Sequence, residues 1–579
     1  MSDVYSGRSF WRMAAVAAVI VCSALAYSNT LNSPFVFDDI PYVSNNPLIR
    51  DPQNLIHPKY AGQYRDFFEY PTFVMRTVGV LSFALNYALH GLSLPGYHVV
   101  NLLIHLSNVI LVYMLSMNLF RATDVSVRSG VAGSSQFGAA FAASAAAASL
   151  FAVHPVQTEA VTYISQRFTS LAALFYLLSL VLYSKWRCTA ERRRAWPLYA
   201  ASLLSATLAM KTKETAFTIP FVIAVYELLF HEKDKAGWIR RLAPFCLLLS
   251  IIPLSLLLIS NAEGGLLAII DDMTRAKTDM SRLLYMLTEV RVVVTYLRLL
   301  VLPSNQNLDY DYVIAGPDVP LQFLWAAVVI CSLIGSGFVL RIKSRRFNMP
   351  ELNIISFGIF WFFITLLIES SLIPTGDVIF EHRLYLPSAG IFIAVCTAGV
   401  LALRRLSGRR PYLRPVAVVI LVVIVGIFSV ATYRRNKVWA DEITLWTDVV
   451  SKSPMKARGH LNLGNKYFRL GQYDKALLEL RKITDAYPKA SAANNSIGMV
   501  LVRRGDLRGA LRHYNVALQS RPDYAEALKN RAAVEAALGM SEEARRDVSA
   551  ALAIYPDYED AIRLRNDIER GIVSKPELY

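Results

Sequence analysis

The sequence predicts an all-α protein in which a polytopic membrane part is followed by a soluble α-solenoid. Two observations predict the membrane part: hydrophobic residues make up 54% of the 579 residues and charged residues only 18%, and the mean hydropathy is +0.36. Long apolar runs in a chain so poor in charge indicate several membrane spans. A third observation predicts the solenoid, because the chain turns polar from about Trp439 and then repeats at a fixed interval.

Eleven segments are predicted to span the membrane, since each approaches the roughly 20 apolar residues that a spanning helix needs. They are 12–30, 98–120, 137–153, 168–184, 196–210, 215–230, 242–260, 320–340, 352–370, 384–403 and 412–432. The first resembles a signal peptide and is interpreted as an uncleaved anchor. Segment 281–303 is left out, because Arg282, Glu289, Arg291 and Arg298 lie inside it. Charges at bilayer depth cost about 2.5–3.5 kcal/mol each, so this segment is predicted to be an interfacial amphipathic helix.

The basic residues predict the orientation of these spans. They precede the first span and cluster after the fourth, sixth, eighth and tenth, around 185–194, 233–241, 341–347 and 404–414. The positive-inside bias places all five groups in the cytoplasm, so the intervening loops and the C-terminal repeat lie outside. Because the net charge of +16 comes from such short clusters between apolar runs, no nucleic-acid partner is predicted.

The C-terminal part has an internal period of 34 residues. The repeated positions are Pro454, Pro488, Pro522 and Pro556, then Gly471, Gly505 and Gly539, and then Ala476, Ala510 and Ala544. Small residues and prolines at this period are typical of tetratricopeptide repeats. We therefore predict a membrane domain over 1–436 and a repeat domain over 437–579, with three repeats and flanking helices. Such a solenoid binds peptide or protein, and a scaffolding or dimerising role is the alternative.

Several motifs outside the repeat are charged, aromatic and ordered along the chain. They are "FVFDDIPYVSNNPLI", "LSFALNYALHGLSLPGYHVVNLLIHLSNVILVYML", "LFAVHPVQTEAVTYISQR", "KETAFTIPFVIAVYELLF", "LDYDY" and "EHRLYLPS". Together with the repeat, they resemble the transmembrane and tetratricopeptide repeat-containing O-mannosyltransferase-like family of the GT-C glycosyltransferase superfamily. Thr77 is a departure, since relatives usually have proline after the residue equivalent to Arg76. We expect the change to alter the start of a helix and to leave the chemistry intact.

The resemblance implies inverting transfer of a sugar from a polyprenyl-phosphate-linked donor to a Ser or Thr hydroxyl of a protein on the external side. The hydroxyl must lose its proton during attack, so a carboxylate is needed as general base. The resemblance implies that Asp38 or Asp39 is this base, and that the other orients the acceptor or binds a divalent cation. The alternative for an Asp-Asp pair is a turn or a helix cap. No cofactor besides the donor is required by this interpretation.

The leaving group is a lipid phosphate whose negative charge grows as the bond breaks, so cations and hydrogen-bond donors are needed beside it. The substrate-binding residues that the resemblance implies are Arg76, His154, Glu159, Arg167, Lys213, Glu214, Asp309, Asp311, Glu381, His382 and Arg383. Three of these residues have a structural alternative to substrate binding. For Lys213 it is an ion pair with Glu214, for Arg383 it is anchoring to lipid headgroups, and for His154 it is a structural cap.

Asp309 and Asp311 alternate with two tyrosines, which suits the apolar faces and hydroxyl edges of a sugar, although an interfacial tyrosine belt is equally expected. The sequence has no Walker loop and no dinucleotide fingerprint. A nucleotide-sugar donor is also disfavoured, since the charged motifs are predicted to face away from the cytosol.

These expectations describe a multi-pass enzyme of the bacterial inner membrane with a periplasmic repeat domain that recruits a protein acceptor. Two alternatives remain open. One is transfer to a lipid or glycan acceptor, and the other is a non-catalytic scaffold or lipid-sugar transporter that uses the repeats for assembly.

Overall fold

The structure is a computed structural model that describes residues 2–50, 70–123, 135–189, 191, 194–232, 235–259, 280–314, 320–370, 374 and 376–572. Every regular element in these ranges is helical, so the predicted all-α fold is confirmed. The chain divides into two compact units. The first comprises Met1–Leu308 and Tyr312–Ala440, and the second comprises Asp309–Asp311 and Asp441–Tyr579.

The first unit contains the apolar helices. In chain order they are α1 (Ser2–Ala26), α2 (Tyr70–Met75), α3 (Thr77–His90), α4 (Leu94–Thr123), α5 (Ser135–Val153), α6 (Thr158–Thr162), α7 (Arg167–Cys188), α8 (Trp196–Met210), α9 (Ile219–Phe230), α10 (Lys235–Leu248), α11 (Ile251–Ile259), α12 (Arg282–Val301), α13 (Pro320–Arg346), α14 (Leu352–Leu366), α15 (Tyr385–Ser407) and α16 (Leu413–Asn436). Short 3₁₀ turns at 155–157, 164–166, 214–218 and 381–384 lead into α6, α7, α9 and α15.

Eight helical stretches in the described ranges are long and apolar enough to cross a membrane. They are Met13–Thr30, Leu94–Thr123, Gln136–Val153, Ile164–Cys188, Gly237–Ile259, Phe323–Arg346, Glu381–Ser407 and Leu413–Trp439. Helices α8 and α14 are apolar but shorter. The chain is therefore a membrane protein by length and composition of its helices, and the predicted count of eleven spans stays a prediction.

The interior of this unit is formed by α4, α5, α7 and α15, which pack on one another and on the shorter α8 and α14. Helices α14 and α15 approach backbone to backbone, because a Cβ built at Gly358 would lie 2.3 Å from the Gly390 carbonyl oxygen. Small residues allow such close packing between membrane helices, where lipid tails provide no hydrophobic driving force.

Helix α12 covers the segment that the sequence excluded from the spans. It is not among the eight candidate stretches, and one of its faces is buried against the rest of the unit. Tyr285, Glu289 and Tyr296 lie on that buried face. Arg291 and Arg298 instead donate to the backbone carbonyls of Val313 and Ser304, respectively, near the surface. The charged residues of this helix are thus divided between a buried face, which carries Glu289, and a surface-facing side, which carries the arginines.

The second unit is a helical-repeat solenoid. Helix α17 (Glu442–Lys452) precedes three antiparallel pairs, α18 and α19 (Ala457–Arg469 and Tyr473–Ala486), α20 and α21 (Ser491–Arg503 and Leu507–Ser520), and α22 and α23 (Ala525–Ala537 and Ser541–Ile554). Helix α24 (Glu559–Glu569) follows the last pair. Three pairs with flanking helices are what the 34-residue period predicts.

The repeated glycines and alanines have separate structural roles in this solenoid. Gly471, Gly505 and Gly539 end the first helix of each pair with φ angles of +72°, +82° and +80°, a region that side-chain-bearing residues rarely adopt. The repeated alanines, by contrast, are fully buried between helices of the solenoid. The period in the sequence therefore records one turn conformation and one close packing position in every repeat.

Candidate active site

The first predicted motif forms a tight turn that presents two aspartates differently. The Asp39 carboxylate is fully buried and accepts the backbone N–H groups of Val36 and Ser165, at 3.1 and 2.6 Å. Asp38 is partly exposed, and its backbone N–H donates to the Tyr163 hydroxyl at 2.8 Å. Asp39 thus ties the turn to the start of α7, while the Asp38 side chain lies closer to the surface.

The turn is also strained, because Phe37 has a φ of +48°. A phenylalanine in the left-handed region costs on the order of 1–3 kcal/mol and persists only where the surroundings hold it. Here two hydrogen bonds fix the backbone on either side of Phe37. The Val36 N–H donates to the Asp39 carboxylate, and the Asp38 N–H donates to the Tyr163 hydroxyl. Burial raises the pKa of the Asp39 carboxyl to about 7, and the amides of Val36 and Ser165 act in the opposite direction. Strain held by several contacts is common at functional sites.

We predict that Asp39→Asn destabilises the protein by about 1–3 kcal/mol, because the amide NH₂ replaces one of two acceptor oxygens and faces a backbone N–H. The measurement is thermal or denaturant unfolding of the purified protein in detergent. Asp38→Asn is the matched control, and we expect it to unfold within about 0.5 kcal/mol of the wild type. Equal stabilities of the Asp39 variant and the wild type would contradict the positioning role.

The motif that follows α5 is joined to the motif that precedes α15. The Glu159 carboxylate accepts the backbone N–H groups of Glu381 and His382 at 2.9 and 3.2 Å, and it lies 2.8 Å from the His382 Nδ1. Burial raises the pKa of Glu159 to about 8. Glu381 in turn accepts the Gln306 amide and the Asn307 backbone N–H, at 2.5 and 2.8 Å. Three loops from distant parts of the sequence therefore meet through two buried carboxylates.

Lys213 and Arg76 each pair with a carboxylate. The Lys213 ammonium lies 2.6 Å from Glu369 Oε1 and donates to the Thr169 hydroxyl at 3.0 Å. Arg76 donates two hydrogen bonds to Glu214, at 3.0 and 2.9 Å. The sequence left open an ion pair between Lys213 and Glu214. In the structure Lys213 pairs with Glu369, and Glu214 pairs with Arg76. The side chains of Arg76 and Glu214, 27% and 23% exposed, are more accessible than the 7% exposed side chain of Lys213.

Electrostatics keep this cluster ionised and positive. Burial alone would raise the pKa of Glu369, but Lys213 and Arg383 outweigh it and hold that pKa below its ordinary value. Arg76 does the same for the pKa of Glu214. Three cations therefore face two ionised carboxylates in this part of the molecule, an arrangement that attracts an anion.

Arg383 directs its donors at backbone carbonyls. Its Nη1 donates to the carbonyl oxygens of Val378 and Glu369 at 2.9 and 3.3 Å, and its Nη2 donates to that of Asp377 at 2.8 Å. The Tyr285 hydroxyl of α12 donates to the same Glu369 carbonyl at 2.7 Å. Arg383 thus holds the chain between α14 and α15, and it also contributes positive charge beside Lys213 and Glu369.

His154 and Arg167 are enclosed by protein groups. His154 Nδ1 accepts the Val156 backbone N–H at 3.2 Å and Nε2 lies 3.1 Å from the Leu300 carbonyl oxygen, so both ring nitrogens are used. Burial lowers the pKa of His154 to about 4. The geometry of His154 favours its structural alternative.

Arg167 is fully buried, and its guanidinium donates to the side chains of Asn101 and Asn86 and to the backbone carbonyls of Ser82 and Tyr97. It also lies over the Phe83 ring at 4.5 Å from the ring centroid. This arginine stabilises the packing of α3, α4 and α7, and its donors are directed at protein groups.

The two aspartates of "LDYDY" belong to the second unit. Asp309 receives two hydrogen bonds from the Arg458 guanidinium at 2.8 and 2.9 Å, and Lys456 lies 3.3 Å away. The Asp311 backbone N–H donates to the Ser453 hydroxyl at 2.9 Å. Asp309, being 4% exposed and doubly paired, is committed to an ion pair in this structure. As for a metal, the described ranges hold no group of three His, Cys, Asp or Glu side chains that could bind one.

Comparisons with known proteins agree with the resemblance. A tetratricopeptide repeat family model matches residues 461–520 and 495–559. Protein O-mannosyl-transferase F38B6.6 of Caenorhabditis elegans is 28% identical over 457 residues, covering 77% of this chain and 59% of that protein. This relative and the two that follow are all named protein O-mannosyl-transferases. Two others are Tmtc3 of Drosophila melanogaster, 27% identical over 83% of this chain and 55% of that protein, and TMTC4 of Mus musculus, 28% identical over 81% and 65%.

The resemblance stated from the motifs is therefore confirmed, both for the repeat and for the O-mannosyl-transferase relatives. This chain spans little more than half of the length of the first two relatives, 59% and 55%. What the O-mannosyl-transferases catalyse as whole proteins is consequently carried to this chain only as a proposal.

Sequence reasoning missed three residues that the structure brings into the cluster. Tyr163 lies inside the motif "LFAVHPVQTEAVTYISQR" and Glu369 lies at the end of the predicted span 352–370, and the bonds of Tyr163 to Asp38 and of Glu369 to Lys213 depend on contacts between distant loops. Glu289 was considered only as a charge that disfavours a span. The spacing of Tyr285, Glu289 and Tyr296 on one helical face was the signal available in the sequence.

Proposed function

We propose that this protein is an inverting glycosyltransferase that moves a sugar, a hexose such as mannose, from a polyprenyl-phosphate-linked donor to a Ser or Thr hydroxyl of a protein. The reaction is placed on the external side of a bacterial inner membrane, with the repeat domain in the periplasm. The relatives are protein O-mannosyl-transferases by name, which supports the reaction class.

One observation in this chain supports the proposal most directly. Four charged motifs from separate loops of the first unit are joined by the bonds Asp39–Ser165 and Glu159–His382 and, through Glu369, by the bonds Arg383–Glu369 and Lys213–Glu369. Ionisable side chains in a membrane protein are costly unless they serve transport or chemistry. A network that unites several of them near the ends of apolar helices is suited to a sugar phosphate whose lipid tail stays in the bilayer.

Asp38 is the proposed general base. It is partly exposed, whereas both oxygens of Asp39 already accept backbone N–H groups. The acceptor hydroxyl oxygen forms a bond to the anomeric carbon, the bond from that carbon to the phosphate oxygen breaks, and its electron pair goes to the phosphate. The hydroxyl proton goes to Asp38, and attack opposite the leaving group inverts the anomeric configuration. Asp39 is a positioning residue that fixes the turn carrying Asp38.

Lys213 and Arg76 are the proposed cations for the donor phosphate. Their present partners, Glu369 and Glu214, are carboxylates that a phosphate would replace. Growing charge on the leaving phosphate strengthens these interactions in the transition state, which is where they accelerate the reaction. Glu159, Glu381 and His382 hold the neighbouring loops in place, and Arg383 adds charge and fixes the chain that carries Glu369.

The repeat domain is the proposed acceptor-binding part. Tetratricopeptide solenoids present an extended concave surface suited to peptides. A transferase acting on lipid acceptors would not need such a surface, so a protein acceptor is the better fit.

The proposal is tested by comparing exported proteins of a strain that lacks the gene with those of strains complemented by the wild type or by Asp38→Asn. We expect hexose on Ser and Thr residues to disappear on deletion and to return only with the wild type, as measured by mass spectrometry of glycopeptides. An unchanged set of glycopeptides on deletion, or full restoration by the variant, would refute it. Hexose lost from the lipid fraction instead would favour a lipid acceptor.

A further inference from the structure

A carboxyl group on α12 is buried beside the proposed phosphate site without being used by the mechanism above. Glu289 is 1% exposed, and neither of its oxygens has a hydrogen-bond partner among the described residues. In the described ranges the cation facing it is Arg383, whose Nη1 lies 3.9 Å from Glu289 Oε1, beyond hydrogen-bond distance. The neighbouring Ser370 hydroxyl is likewise buried and has no such partner in these ranges. Buried polar groups are normally satisfied. The Ser370 hydroxyl is close enough to lower the pKa of Glu289 but makes no hydrogen bond to it, which points to a missing ligand between or beside the two groups.

The surroundings of Glu289 connect it to the phosphate site. On the same face of α12, the Tyr285 hydroxyl donates to the Glu369 carbonyl and the Tyr296 hydroxyl donates to the Phe380 carbonyl, at 2.7 and 3.0 Å. These bonds hold the backbone at Glu369 and at Phe380, which precedes Arg383 by three residues. Glu369 in turn is paired with Lys213. Glu289 therefore lies next to the positive cluster, adjacent to Arg383.

The groups that face Glu289 and influence its charge are Arg383, Ser370, Glu369, Tyr285, Tyr296 and Tyr312. Burial raises the pKa of Glu289 to about 7, Arg383 opposes this shift, and the charge of Glu369 adds to it. Burial outweighs the opposing effects of Arg383 and of the nearby Ser370 and Tyr285 hydroxyls, so the carboxyl is about half protonated at neutral pH and mostly protonated below it. A neutral carboxylic acid can donate one hydrogen bond, whereas the anion can only accept.

We propose that Glu289 acts as a neutral carboxylic acid that donates a hydrogen bond to the phosphate of the lipid-linked sugar donor, beside Arg383. This assignment rests on the proposed function and adds a substrate-binding residue to it. A phosphate oxygen beside Arg383 would satisfy the carboxyl proton and would be repelled by the carboxylate form. Glu289 thereby makes donor binding depend on its own protonation.

The direction of that dependence follows from the chemistry of the two partners. A sugar-phospho-polyprenol is a phosphodiester, so its single negative charge does not change between about pH 5 and 9. Loss of the Glu289 proton as pH rises through about 7 replaces a hydrogen-bond donor with a negative charge. We expect donor affinity of the wild type to fall about tenfold between roughly pH 6 and 8.5, which corresponds to about 1.4 kcal/mol.

The experiment measures binding of radiolabelled mannosyl-phospho-polyprenol to the purified full-length chain in detergent at several pH values, without acceptor. Glu289→Gln keeps a hydrogen-bond donor at every pH, so we expect it to bind as tightly as the wild type at low pH and to lose the pH dependence. Glu289→Leu should bind about tenfold more weakly at low pH, also without pH dependence. Glu232→Gln is the matched control, since that carboxylate pairs with Arg341 elsewhere and should leave the wild-type pH dependence unchanged.

Three results would overturn the proposal. They are a wild-type affinity that does not change with pH, a Glu289→Gln variant with the wild-type pH dependence, and a Glu289→Gln variant that binds as weakly as Glu289→Leu. The first needs no variant and therefore stands even if a variant fails to fold. Sugar transfer by the wild type is assayed in parallel, so that transfer without the predicted pH dependence refutes only the role of Glu289. Absence of both transfer and binding refutes the proposed function as well.

Discussion

The Asp38→Asn variant is expected to lose sugar transfer by about 10²- to 10⁴-fold in kcat, because an amide cannot take the proton of the attacking hydroxyl. The amide is close to the carboxylate in size, and the described hydrogen bond of Asp38 to Tyr163 is made by its backbone N–H, which the substitution retains. Donor binding and unfolding temperature should therefore stay near the wild-type values. The measurement is steady-state transfer from a lipid-linked mannose to acceptor protein, with kcat and donor KM determined separately.

Glu191→Gln is a suitable control for that substitution. It also converts a carboxylate to an amide in the first unit, at a side chain that is 66% exposed and pairs with Arg194 three residues away. We expect its kcat and KM to equal those of the wild type. If Asp38→Asn kept more than about a tenth of the wild-type kcat, general base catalysis by Asp38 would be refuted, since such catalysis contributes typically 10²-fold or more.

The second large effect is expected at the Lys213–Glu369 ion pair. Lys213→Met leaves the Glu369 carboxylate buried without its nearest cation, so we expect a loss of about 3–5 kcal/mol in the free energy of unfolding. The double variant Lys213→Met with Glu369→Gln removes both charges and should recover most of that stability. It should nevertheless lack donor binding, because the proposed phosphate cation is absent. The measurements are denaturant unfolding and binding of the lipid-linked donor.

The exposed pair of Arg194 and Glu191 provides the matched comparison for stability. Its side chains are 86% and 66% exposed, so removal of either charge should cost less than about 1 kcal/mol. A double variant at Lys213 and Glu369 that was stable and also bound the donor like the wild type would contradict the phosphate role. The ion pair would then be purely structural.

The repeat domain could be predicted closely from the sequence, since its structure is repeated locally. Each 34-residue unit contains its own turn glycine and its own packing alanine, and no long-range contact is needed to recognise them. The apolar helices could be predicted for a similar reason, because length and hydropathy are local properties. The number of membrane spans is harder to predict from the sequence, because α8 and α14 are apolar but shorter than a typical spanning helix.

The difference between Asp38 and Asp39 could not be predicted from the sequence. The two residues are adjacent and chemically identical, and they are distinguished by the Ser165 backbone N–H, which is 126 residues away. Arg167 is a similar case, because its buried donors are taken by Asn86 and Asn101 in other helices. Long-range hydrogen bonds of this kind leave no local pattern.

Glu289 shows how a correct local observation can hide a role. The charges in segment 281–303 argue against a membrane span, and α12 is not among the candidate spanning stretches. In such a count of charges Glu289 is equivalent to the three arginines of the same helix. In the structure Arg291 and Arg298 contact loop carbonyls, whereas Glu289 faces Arg383. Assigning the charges to helical faces would have separated them.

Reconstitution of the purified protein decides whether this chain transfers a lipid-linked sugar to a protein hydroxyl. Purified protein in liposomes is given acceptor protein and labelled mannose, attached either to polyprenyl phosphate or to a nucleotide. We expect that only the lipid-linked donor labels protein, on Ser and Thr residues, and that Asp38→Asn prevents this labelling. Labelling of protein from the nucleotide sugar alone, or no labelled protein from either donor, would contradict it.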